Sequence, residues 1–111
     1  MTQNISIIRA DLIARIHTLC AGEDDAIAIM ATVSAELFHA VGGYCWVGFY
    51  RLVAPNLLKI GPYQGGHGCL VTPFDRGVCG VAARKGATQL VDDVDLFAGI
   101  SRVQAARNLN W

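Results

Sequence analysis

Apolar residues recur at helical spacing through the first forty positions and lose that period afterwards. Ile5, Ile8, Leu12, Ile13 and Ile16 mark one face of an amphipathic helix expected over residues 5–20. "CAGEDD" interrupts it, with Gly22 placed to end the first helix and Asp24 or Asp25 to cap the next. A second helix over 25–40 is expected to turn Ile27, Met30, Val33, Leu37 and Phe38 towards a core, and Gly42 with Gly43 stops it. From there the pattern is that of strands. "YCWVGFYRLV", 44–53, is rich in β-branched and aromatic residues, Pro55-Asn56 is a turn signal, and "LLKIGPY" returns as the second arm of a hairpin. "GCLVTPF" predicts a third short strand ending at Pro73, "VCGVAARKG" a short helix over 78–86 with Gly86 past its end, and "TQLVDDV" a further strand. Two helices followed by strands with one inserted helix point to an α+β domain, an antiparallel sheet with helices packed on it.

Composition narrows this further. The 111 residues suffice for one core, and 53% hydrophobic with 16% charged residues describes a folded chain. Nine basic residues balance nine acidic ones, and no basic stripe interleaves with aromatics, so neither nucleic acid nor an anionic membrane surface is an expected partner. Arg9, Asp11 and Arg15 break the first apolar run, and Glu36 with His39 the second, below the length of a membrane span. "MTQNISIIRADLIARIH" has no secretion-signal pattern. A cytoplasmic setting with reduced thiols is the expectation, which argues against a structural disulfide framework.

The candidate chemistry lies in "GPYQGGHGCLVTPFDRGVCG", residues 61–80. Cys69 and Cys79 read as a redox pair, as zinc ligands, or as small apolar fillers. Zinc is disfavoured because the four cysteines contain no C-x-x-C and His17, His39 and His67 are scattered. Cys69 follows the flexible "GGHG" run, on which a thiol can swing. Cys79 falls in the first turn of the short helix, where free N–H groups and the dipole favour a thiolate. Against this, "GVCG" also suits a tight helix entry with a small core residue. Cys20 and Cys45 read as buried apolar fillers. His67 is a candidate partner for the Cys69 thiolate. Asp92, Asp93 and Asp95 are candidates for a cation or ammonium site or a solvated strand end. Trp46 and Tyr50 share strand parity with Gly48, which leaves either a slot against an aromatic wall or ordinary packing.

Taken in succession, "WVGFYRL", "GPYQG", a cysteine soon after, "GVCGVAARKGATQLVDDV" and "F.G" resemble the free methionine-(R)-sulfoxide reductases, which are GAF-domain enzymes; the resemblance covers roughly residues 30 to 100. It implies a GAF fold, an antiparallel sheet flanked by helices, and a homodimer. It also implies reduction of free methionine-(R)-sulfoxide by thiol chemistry, with no bound cofactor and with thioredoxin as the reductant. By position, Cys69 matches the family's resolving cysteine, Cys79 its second redox cysteine, and Trp46 with Tyr50 the aromatic lining of the methionine pocket.

After "F.G" the chain departs from the family. Where the family continues "HIAC" and, a few residues on, "SE", this chain reads "ISRVQAARNLNW", and the nucleophilic cysteine's position falls at Val103. Residues 1–99 are therefore expected to be an incomplete GAF domain lacking the last strand and helix, and 100–111 an aberrant tail. The tail's residues are compatible with codons that restore "HIAC" and "SE" when read two bases later, so the tail is expected to be either the family's ending in another frame or a genuine sequence of its own. The resemblance thus implies a lineage of sulfoxide reductases represented by a chain without its attacking thiol. The other reading is a non-enzymatic GAF module that binds a small ligand or a partner.

Overall fold

A computed structural model describes residues 5–92, with side chains from residue 9 onward. Its elements are α1 (Ile5–Leu19), α2 (Ala26–Ala40), β1 (Trp46–Ala54), β2 (Leu57–Gly65), β3 (Val71–Pro73) and α3 (Gly77–Lys85). The strands form one antiparallel sheet in the order β1-β2-β3. Leu57, Leu58 and Lys59 of β2 face Pro73, Thr72 and Val71 of β3. The fold is α+β, as the order of patterns predicts.

Local chemistry sets the element ends. Asp25 keeps extended backbone and its carboxylate accepts from the N–H groups of Ile27 at 2.9 Å and Ala28 at 3.4 Å, capping α2. Asn56 takes a φ of 57°, the left-handed conformation that asparagine tolerates, and Pro55 before it fixes the turn that makes β1 and β2 a hairpin. Gly86, with φ 62°, ends α3 and donates to the carbonyls of Ala82 and Ala83.

The chain divides into two compact units. One comprises the described residues up to Phe49 together with Pro62–Gly65; the other comprises Tyr50–Gly61 and the described residues from Gly66 on. In the first, α1 packs against α2 and buries Leu12, and Arg15 pairs with Glu36 at 3.0 Å. The most buried side chain there is Ser34 of α2, 1% exposed, whose hydroxyl points at the Pro62 carbonyl at 3.4 Å. In the second, α3 packs on β3, and Leu58, Thr72 and Val81 are buried.

Three expectations need correction. Ile27 is 61% exposed and Ile13 51% exposed, whereas Ser34 lies inside. Apolar periodicity locates a stripe but cannot see that the closest approach to a backbone carbonyl favours a small hydroxyl over a branched chain. No strand is assigned to residues 88–92, and Leu90 is 94% exposed. Strand preference is a fit to a half-buried pleated surface, and around Leu90 that surface is missing. Cys45 is exposed and Cys20 partly so, hence neither is a buried filler; Cys45 sits just before β1, and Cys20 just past the end of α1. The side chains of Ile5 and Ile8, the expected strand's end at 93–94, and the tail from 100 to 111 with Val103 lie outside the described residues.

Candidate functional site

The second unit brings Tyr50, Cys69, Thr72 and Cys79 together. Tyr50 comes from β1, Cys69 from the loop after β2, Thr72 from β3 and Cys79 from α3. Two glycines of the "GVCG" motif account for the last placement. Gly77 enters α3 with φ 77°, a conformation that a side chain would strain. Gly80 sits so close to β3 that a Cβ there would lie 2.5 Å from the Pro73 carbonyl oxygen. Helix and strand meet at backbone distance because residue 80 has no side chain, and this carries the neighbouring Cys79 into the cluster.

The Tyr50 hydroxyl donates to the Cys69 carbonyl at 2.8 Å. Its oxygen is thereby left as acceptor, and the buried Thr72 hydroxyl is bonded to it. Burial first, then the neighbouring Cys79 and Cys69, push the Tyr50 phenol up to about 12. Burial, followed by Cys69, also raises Cys79 above the ordinary thiol range. This reverses the expectation from helix position: in a nine-residue helix the N-terminal field is outweighed by the loss of water, and Cys79 keeps its proton at neutral pH. Neither cysteine is part of a disulfide.

Cys69 is less mobile than its glycine-rich approach suggests. Its own carbonyl is held by Tyr50, and the Ile60 N–H donates to the next carbonyl, that of Leu70, at 3.0 Å. That anchor was invisible in the sequence, where Tyr50 read only as an aromatic wall; the signal available was a tyrosine rather than a phenylalanine at a strand position.

Trp46 belongs to the first unit. Its ring stacks on Tyr63 with centroids 5.5 Å apart and an interplanar angle of 21°. A Cβ on Gly48 would collide with the Tyr63 Cβ and lie 2.7 Å from the Trp46 ring. The space above Gly48 is therefore filled by Trp46 itself. His67 and Asp92 are exposed, and Asp93 and Asp95 lie outside the described residues. Among the described residues no three metal-ligating side chains converge, and no helix is long and apolar enough to cross a membrane.

No protein-family model matches the chain. Solved structures and known proteins do. A proposed GAF sensor protein of Burkholderia vietnamiensis superimposes with a TM-score of 0.81 at 36% identity, covering 91% of this chain and 63% of that one. The fold is that of a GAF domain. The free methionine-R-sulfoxide reductase of Neisseria meningitidis, solved in complex with its substrate, superimposes with a TM-score of 0.76 at 39% identity over 86% of this chain and 57% of that one. The free methionine-R-sulfoxide reductase of Escherichia coli is 38% identical over 99 residues, 89% of this chain and 59% of its own length. The chain is similar in sequence to free methionine-R-sulfoxide reductases. It spans under two thirds of the length of each of these relatives.

Proposed function

We propose that this chain carries the thiol and aromatic part of a free methionine-(R)-sulfoxide reductase site and turns the sulfoxide over slowly or not at all, because the attacking position is Val103. The grouping of Cys69 and Cys79 around Tyr50 in one unit carries this reading; the likeness to a reductase solved with its substrate supports it. In the reaction a thiolate attacks the sulfoxide sulfur. The sulfoxide oxygen passes to the thiol as a sulfenic acid and methionine leaves. A second thiol displaces that oxygen as water and closes a disulfide, and two electrons with two protons from thioredoxin restore both thiols. Cys69 is the resolving thiol, Cys79 the second redox cysteine, and Trp46 and Tyr50 the lining for the substrate's apolar end. No bound cofactor is required. A cytoplasmic setting and a homodimer are the compartment and assembly we expect.

Cys79 does not replace the absent thiol. Its raised pKa leaves little thiolate at neutral pH, and attack needs the sulfur within near-contact distance of the substrate. The test is NADPH consumption with thioredoxin, thioredoxin reductase and free methionine-(R)-sulfoxide. The chain is expected to stay near background, and the protein encoded after the frame is restored at 98–99 is expected to turn over. Rapid conversion by the 111-residue chain itself would overturn the assignment of Val103. A gene sequence incompatible with the shifted reading would remove the account of residues 100–111.

The same two features, Val103 and a protonated Cys79, also favour a non-enzymatic GAF module that binds a small ligand or a partner. A frame-restored protein that is inert yet binds a small molecule would select this reading.

A further inference from the structure

We propose that Tyr50 is the positioning residue of the Cys69 thiol: through the Thr72 hydroxyl on one side and the Cys69 carbonyl on the other, it clamps the end of the "GGHG" run and keeps Cys69 beside Cys79. Three observations carry this. The Tyr50 hydroxyl reaches the Cys69 carbonyl at 2.8 Å across nineteen positions of sequence, so the bond is made by the fold and not by a local turn. Thr72, 6% exposed, sits on β3 opposite Leu58 of β2, so the hydroxyl behind Tyr50 is fixed by strand pairing. And Gly80 fixes α3 to the Pro73 carbonyl at backbone distance, so Cys79 does not move to compensate if Cys69 shifts. The strands and helix hold one thiol; the tyrosine grips the other's own carbonyl, next to the Ile60–Leu70 bond, at the end of a glycine-rich run that belongs to no strand.

Tyr50 in this role acts through its hydroxyl, separately from any contact its ring makes with a substrate. The inference rests on the reading of Cys69 as a working thiol, but its test uses neither sulfoxide nor thioredoxin. A chain that turns over nothing still answers it.

The experiment is site-resolved alkylation of the reduced 111-residue chain by iodoacetamide, with the rates of Cys69 and Cys79 followed separately by mass spectrometry across pH 7–10. In Tyr50→Phe the ratio of the Cys69 rate to the Cys79 rate is expected to rise roughly two- to tenfold, the range by which loss of one hydrogen bond increases a local opening. Thr72→Val is expected to move the ratio in the same direction, and Thr72→Ser, which keeps the hydroxyl, to restore it. An unchanged ratio in Tyr50→Phe overturns the proposal. So does a parallel rise of both rates, which reports general loosening, or a Thr72→Ser variant that behaves like Thr72→Val, which reports lost bulk and not a lost hydroxyl.

Discussion

Glycines at 42, 48 and 80 look alike in sequence and have different consequences in the fold. Nothing lies within 4 Å of a Cβ built on Gly42, whereas one on Gly48 collides with Tyr63 and Trp46 and one on Gly80 with the Pro73 carbonyl. Gly42→Ala is therefore expected to be neutral or to stabilise by about 0.4–1 kcal/mol, through the unfolded chain alone. Gly80→Ala gains about 1 kcal/mol of helix propensity. It must also displace a backbone oxygen, and overpacking of that kind costs about 1–3 kcal/mol, so the net effect is a loss. Gly48→Ala is expected to lose a similar amount, since a neighbouring Cβ is no freer to move than backbone. Urea midpoints of the three variants check the order; a Gly80→Ala protein as stable as Gly42→Ala would show that α3 and β3 are not in fact at backbone distance.

At the scale of elements, what could be read from sequence followed from short-range rules. The Asp25 cap, the Gly86 stop, the Pro55-Asn56 turn and the hairpin around it are each decided by two or three adjacent residues, and each is found where expected. Features set by distant neighbours were not legible. Ser34 inside and Ile27 outside, the missing strand at 88–92, and Tyr50 as an anchor all depend on which backbone lies opposite. The same holds within the site: the motif located Cys69 and Cys79, but only burial decides that Cys79 holds its proton. Asp25→Ala tests the legible kind. It removes the acceptor for two N–H groups of an otherwise uncapped helix start, and about 1 kcal/mol of stability with it. An unaltered urea midpoint would mean that α2 takes its start from packing and not from its cap.

For the molecule as a whole, the raised groups set the alkaline limit of stability. Folded Tyr50 titrates at about 12 against an ordinary 10.0, and Cys79 lies above its ordinary 9.0. Both bind their protons more tightly folded than unfolded, so their contribution is fully present below about pH 9 and is lost as pH rises towards 12. Urea midpoints should be about equal at pH 7 and 9 and lower at pH 11, with Tyr50→Phe flattening the step from 9 to 11. A wild-type midpoint that is flat or rises over the same interval would contradict the burial of these groups.

The indole folded over Gly48 gives the chain an optical reporter of its own. Trp46 and Trp111 are its two tryptophans, so Trp111→Phe leaves one emitter, stacked on a tyrosine and covering a bare stretch of strand. A molecule that settles over that glycine has to lift the ring away. Its arrival then appears as a change in the colour and brightness of a single lamp, without any label attached.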